Sequence, residues 1–359
     1  MRGRLTSVRP TRRGAYAPAG PRNVTTGTTG RWPCEATDAE ILRQAALDRV
    51  ASLPVALVTL IAVVGSAYRA PGALMLVHDD GTWMGQITGG CLEAAVALEA
   101  RKAMAAGAAR TLRYGAGSPF MDIRLPCGGG VVLHVDPCLD PDVMIAACTL
   151  QRARRAFAFA FDPAAPDPNR DLVAPDAFVP PGRFAHRVAP RTRVLVAGRG
   201  AELFGMVRLA VAAGHEVVAL SPDPDERAAC AEAEARVHAW TAPDRLPSLP
   251  PDRWTALASL LHDSDWEGPL LEWALPSPAF HVSAIGGHRT REARAVWLSR
   301  RLAPRLLARL RAPAGLVPSC RDPRSLAASI LAQIVADGAA AQADLSDGPL
   351  GGRSALAAE

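Results

Sequence analysis

The chain has 359 residues, 49% hydrophobic and 21% charged, values ordinary for a globular protein and enough material for about two domains. Its formal net charge is +5, and of the 40 basic residues only Lys102 is a lysine, leaving 39 arginines. A phosphate-loop lysine after a glycine run is thus excluded, and Schiff-base chemistry has little to work with.

Residues 1–36 form a basic arm, rich in Arg, Gly, Thr and Pro, that is expected to be disordered because it can bury too little apolar surface. Its arginines come with no recognition motif, so nucleic acid is not an expected partner. From Thr37 the texture changes. Asp38 stands where a helix cap belongs, and Ile41, Leu42, Ala45, Ala46 and Val50 recur at three- and four-residue steps, which predicts a helix. Residues 55–64 are an apolar, β-branched run of about half the length that a bilayer-spanning helix needs, so no membrane segment is expected. They read as a strand, as do 74–77, 83–87 and 131–135, and 91–106 has the alanine-rich period of a helix. Residues 37–150 are expected to form a first domain.

Residues 151–191 contain repeated prolines (Pro163, Pro168, Pro175, Pro180, Pro181 and Pro190 among them) and predict an inter-domain linker. In 192–338 a strand at 194–197, the turn Gly198-Arg199-Gly200, a helix at 203–213 and a strand at 216–220 make a β-α-β unit. The alternation continues through 254–261, 269–274 and 280–285, consistent with a parallel sheet, and a closing helix spans 325–336 after Asp322 and Pro323. Residues 339–359 are expected to be a flexible tail. The expected fold class is α/β: an N-terminal mixed α+β domain, then a C-terminal Rossmann-like domain with a parallel sheet.

Three glycine constellations mark the first domain. The loop from Gly65 to Ala73, with Ser66, Arg69 and Gly72, offers N–H groups and a guanidinium to an anion, or is a plain tight turn. Gly89-Gly90-Cys91-Leu92-Glu93 opens a helix and places Cys91 near its first turn, where a thiolate is favoured; close backbone packing is the other reading. Cys127-Gly128-Gly129-Gly130 exposes backbone beside another thiol. No two cysteines are only two to four residues apart, so no zinc site is expected. The seven cysteines, odd in number and irregularly spaced, suit a reducing cytoplasm better than a disulfide framework. In the second domain Gly198 and Gly200 are half of a dinucleotide fingerprint: Leu203 replaces the third glycine, and Ser221-Pro222 stands where an acid holds a ribose. His262 and Asp263 follow an apolar strand, where ligands enter open sheets or where Asp263 caps the next helix.

The loop from Gly65 to Ala73, Met75, the Gly89 to Glu93 run and Cys127-Gly128-Gly129 resemble the N-terminal domain of the XdhC/CoxI family. The stretches 198–209, His262-Asp263, Gly286-Gly287-His288-Arg289-Thr290 with Arg294, and 323–336 resemble its Rossmann-like domain. The chain departs from the family pattern at Tyr68, Ala201, Gly287 and Ser221-Pro222-Asp223. The resemblance implies an accessory protein for xanthine dehydrogenase, a chaperone that carries molybdenum cofactor (molybdopterin) rather than using it in a reaction of its own. Such a protein keeps the cofactor for sulfuration by a cysteine desulfurase and inserts it into an apo molybdenum hydroxylase. It is expected to be a cytoplasmic homo-oligomer. The residues so implicated are Gly65, Ser66, Arg69, Gly72, Gly89, Gly90, Cys91, Glu93, Cys127, Gly128, Gly198, Gly200, His262, Asp263 and Gly286, none of them catalytic or metal-ligating. Two alternatives stand beside it: an NAD(P)-dependent oxidoreductase using the second domain, and a persulfide-carrying sulfurtransferase using Cys91 or Cys127.

Overall fold

The computed structural model describes residues 36–346 except 117, 119–127, 166 and 169. The first helix, α1 (Asp38–Val50), is capped by Thr37 rather than Asp38. The Thr37 hydroxyl accepts from Glu40 N while the Glu40 carboxylate accepts from Thr37 N at 2.8 Å, a reciprocal capping box. There follow β1 (Val55–Val64), β2 (Leu74–His78), β3 (Trp83–Gly85), α2 (Glu93–Ala106), β4 (Arg110–Gly115), β5 (Gly130–Asp136) and α3 (Pro141–Arg152). The strands make one antiparallel sheet in the order β3-β2-β1-β5-β4.

Alternate residues of β1 serve opposite faces of this sheet. Ala56, Val58 and Leu60 meet Val96, Ala97 and Ala100 of α2, whereas Val55 and Leu57 meet Ile41 and Leu42 of α1 and Met144 and Ala147 of α3. Covered on both sides, β1 is apolar at nearly every position. Strand β4 escapes a sequence reading because its buried Leu112 and Tyr114 are interrupted by Arg113 and preceded by exposed Arg110 and Thr111, the pattern of a charged edge strand.

Residues 151–191, expected as a linker, are largely folded. Strands β6 (Phe157–Phe161), β7 (Asp171–Val173) and β8 (Phe184–Val188) form a small antiparallel sheet in the order β7-β6-β8. Phe157, Phe159 and Val188 extend the core beneath α1 and α3, and Phe161 packs on Ile61, Ala62 and Val132. The prolines suggest a linker because Pro163, Pro175, Pro180 and Pro181 lie in the connections, while the apolar strands between them are short. Where the small sheet meets the large one, Arg170 Nε donates to Asp136 Oδ2 at 2.6 Å and its guanidinium lies 4.2 Å from the centre of the Phe161 ring. His134 and His186 are buried close enough to Arg170 to feel its charge.

The second domain runs β9 (Arg193–Gly198), α4 (Gly200–Ala212), β10 (Glu216–Ser221), α5 (Pro224–Glu232), β11 (Arg236–Ala239), β12 (Thr255–Leu260), α6 (Ser264–Ala274), β13 (His281–Ala284), α7 (His288–Ser299), α8 (Pro304–Leu307), β14 (Leu310–Arg311) and α9 (Pro323–Ser346). All its strands are parallel, in the order β11-β10-β9-β12-β13-β14, so the order reverses between β9 and β12. Val194 and Val196 face the core shared with α4 and α9; Leu195 and Ala197 face that of α6. Helix α9 continues past the expected start of the tail at 339, through Ala339, Ala340 and Ala341, strong helix formers. Just before them Asp337 accepts from His281 Nδ1 at 2.9 Å and Arg311 Nε at 3.1 Å. Among the described residues no helix is long and apolar enough to cross a membrane.

Candidate functional site

The first-domain glycine loops converge. Residues 65–73 join β1 to β2, and Gly129 leads into β5, the strand that pairs with β1. A Cβ on Gly129 would stand 2.2 Å from Ser66 O, so only glycine lets these two loops touch. On the other side the Tyr68 ring covers Gly89, 3.6 Å from where its Cβ would be. Ser66, Tyr68, Gly89, Gly90, Cys91 and Gly128 are all exposed along this rim, and among the described residues nothing lies within 4 Å of a Cβ built on Gly90 or Gly128. Backbone there is open to a ligand. Cys127 lies outside the described residues.

Glu93 and Arg69 are engaged by the protein itself in ways their motifs do not show. Glu93 is buried, and its carboxylate turns inward: it accepts from Ile87 N at 3.0 Å, Thr88 N at 2.7 Å, Thr88 Oγ1 at 2.9 Å and Leu92 N at 3.2 Å. Burial alone would raise its pKa, but donors from Thr88 and Ile87 outweigh that and hold it below the usual carboxylate range. Glu93 therefore shapes the loop and presents Gly89 to Cys91 outward. Thr88, which also accepts from Leu92 N at 3.0 Å, shares this role and carries no motif that would flag it. Arg69 is half-buried and donates to Gln86 O at 3.3 Å. Its charge also reaches Asp38, opposing the rise in the Asp38 pKa that burial causes. Gly72 sits at the inner end of the loop, its N–H donating to Leu60 O at 2.7 Å, and the His186 ring of the small sheet backs it.

The second-domain candidates gather at the carboxyl ends of the parallel strands. Gly198 is buried, and a Cβ there would come 2.9 Å from Leu260 Cβ, so this glycine serves strand packing. Gly200 begins α4 and donates its N–H to Glu226 Oε1 at 2.7 Å. Asp263 caps α6, accepting from Asp265 N at 2.9 Å, while His262 is exposed with Nε2 3.7 Å from Glu202 Oε1. The backbone at Gly286 is set by a buried pair that periodicity does not reveal: Arg294 donates to Glu267 at 2.7 and 3.0 Å and to Ile285 O. Burial raises the Glu267 pKa and Arg294 opposes the rise. Among the described residues no hydrogen bond or ion pair joins the first-domain rim to this second group.

The rim thus combines open backbone, a thiol and a nearby guanidinium, a set suited to an anionic ligand with soft atoms. Comparison with known proteins agrees with this two-part organisation. Residues 49–115 match the XdhC and CoxI family, and residues 194–334 match the XdhC Rossmann domain. A molybdenum cofactor insertion chaperone, PaoD, from Escherichia coli is 33% identical over 283 residues, covering 77% of this chain and 81% of its own length. A crystal structure from Bacillus halodurans described as a xanthine dehydrogenase shares the fold with a TM-score of 0.70 at 20% identity, over 90% of this chain and 99% of that one. The chain belongs to the XdhC and CoxI family, with an XdhC Rossmann domain following the first.

Proposed function

We propose that this protein carries molybdenum cofactor as cargo, holding it at the first-domain rim and delivering it to an apo molybdenum hydroxylase of the xanthine dehydrogenase type. The observation that carries the reading is the convergence of Ser66, Gly89 to Cys91 and Gly128 on one exposed edge. The name of its E. coli relative, an insertion chaperone, supports the same role. The cofactor brings an anionic phosphate and a metal bound through sulfur. Arg69 and the N–H groups of the loops would meet the phosphate, and Cys91 would lie beside the sulfur atoms. In this reading a cysteine desulfurase sulfurates the cargo while it is held, the protein works in the cytoplasm as a homo-oligomer, and it catalyses no turnover itself.

The test is retention. Protein incubated anaerobically with molybdenum cofactor is expected to keep it through gel filtration. Arg69→Ala should weaken retention about tenfold, the effect of one charge-assisted hydrogen bond. Wild-type protein that elutes without cofactor, or equal retention by Arg69→Ala and Cys91→Ser, would sink the assignment of this rim.

A further inference from the structure

Beyond cargo binding in the first domain, one arrangement in the second points to a ligand of its own. Ser221 ends β10, the strand after the glycine turn, where dinucleotide-binding sheets place an acid to hold a ribose. The acid is present, but it comes from the helix. Glu226, half-buried in the first turn of α5, returns to that place. Its Oε1 accepts from Gly200 N at 2.7 Å and its Oε2 from Ser221 Oγ at 2.6 Å. Ser221 Oγ is itself oriented, accepting from Asp223 N at 3.1 Å. Arg227 braces the turn by donating to Ser221 O at 2.9 Å and Pro222 O at 2.8 Å.

We infer that Glu226 is the ribose acceptor of a ribonucleotide site at the Gly198–Gly200 turn. Each carboxylate oxygen uses one lone pair inside the protein and keeps another, and a vicinal diol offers two O–H donors at matching spacing. The surroundings suit the rest of a nucleotide. Arg199, exposed at the cap of α4, makes no side-chain bond to that helix; its guanidinium lies 5.8 Å from the centre of the Trp266 ring, placing a cation for phosphate beside an aromatic face. Trp266 meets Trp240 edge-on with ring centres 5.0 Å apart. Trp240 donates its backbone N–H to Ser221 O, and its Nε1 is buried with no hydrogen-bond acceptor among the described residues. Because Gly200 N–H is engaged by Glu226, the turn differs from one that devotes this N–H to a pyrophosphate. A carboxylate at the ribose also repels a 2′-phosphate, so the site takes ribonucleotides with a free 2′-hydroxyl and rejects NADP.

Calorimetric titration of the full chain with NAD, ADP-ribose and each of the four 5′-ribonucleoside monophosphates tests this, with the 2′-deoxy monophosphates and NADP as counterparts. At least one ribonucleotide should bind, its counterpart lacking a free 2′-hydroxyl at least tenfold more weakly. Glu226→Gln, which keeps the side chain's size, should lose about tenfold in affinity. The inference is overturned if no ribonucleotide binds at millimolar concentration, if the deoxy or 2′-phosphorylated forms bind equally well, or if Glu226→Gln binds like the wild type. Should that variant fail to fold, the deoxy comparison on unaltered protein decides alone. Each titration is repeated on Arg69→Ala: nucleotide binding that persists there and is lost in Glu226→Gln belongs to the second domain, so its outcome and that of cofactor retention are separable.

Discussion

Arg154 Nε lies 2.5 Å from Asp252 Oδ2, joining the turn after α3 to the segment that leads into β12. The same guanidinium donates to Asp252 Oδ1 at 3.1 Å, Glu216 Oε2 at 2.6 Å, Arg191 O at 3.0 Å and Trp254 O at 3.4 Å. All five donors of one side chain thus tie the first domain to the parallel-sheet domain. Burial would raise the Asp252 pKa, but bonds from Arg154 and Thr255 lower it below its ordinary value. Its stabilising contribution is therefore present above pH 3.8 and lost as pH falls below it.

Arg154→Ala should lower stability by roughly 2–3 kcal/mol, somewhat less than for a fully buried pair because Glu216 and Asp252 keep some solvent. Urea unfolding would measure the loss, and limited proteolysis between β8 and β9 should speed up. An unchanged midpoint and cleavage rate would mean that packing alone holds the two parts together.

The buried histidines make a pH-dependent stability term. Burial, aided by the charge of Arg170, pushes His134 down to about 4 and His186 to about 3, from an ordinary 6.5. Between pH 6.5 and those values the unfolded chain binds protons that the folded chain does not. Their contribution is thus complete above pH 6.5 and declines on acidification, by up to about 1.4 kcal/mol per pH unit for each histidine. Urea midpoints from pH 7 to 4.5 should fall less steeply for His186→Leu than for the wild type; parallel curves would exclude His186 as a source.

Gly129→Ala and Gly90→Ala should separate close contact from backbone conformation. The first puts a methyl 2.2 Å from Ser66 O and should cost about 2–3 kcal/mol while disturbing the rim; the second meets open space and strains only a φ of +98°, at about 1 kcal/mol. Thermal unfolding of both variants checks the order, and a milder loss for Gly129→Ala would contradict the contact.

Cysteine labelling reads the same rim without mutation. Cys91 is exposed, whereas Cys230 is fully buried and its thiol is raised to about 11, by burial first and the charge of Glu226 second. Iodoacetamide at neutral pH should modify Cys91 in the folded protein and Cys230 only after unfolding, as peptide mass spectrometry would show. Native protein that resists at Cys91 would contradict an exposed loop.

Much of this architecture is legible in the sequence because its signals are local. The run at β1, the alanine period of α2 and the Gly198 turn each report their own surroundings. Sequence reading falters where a residue's partner is distant. Glu93 resembles a ligand until four donors are seen around it, and Glu226 goes unnoticed because the acid is sought at the end of β10 rather than one turn into the next helix. The prolines of 151–191 likewise outweigh Phe157, Phe159 and Phe161, whose burial depends on strands from elsewhere in the chain. The convergence of the glycine loops follows from the pairing of β1 with β5, which no local pattern encodes.

The position of α9 governs the order in which the molecule is assembled. Ile330, Leu331 and Ile334 complete the face begun by Val194, Val196 and Leu203, whereas the cores of the first domain need nothing beyond Val188. On the ribosome the first domain can therefore close while the parallel sheet waits for its last helix. At about 5–20 residues per second, the roughly 140 residues from Val194 to Ile334 leave that apolar face uncovered for about 7 to 28 seconds. Chains ending before residue 334 never cover it, so premature termination should yield aggregates whose first domain is folded.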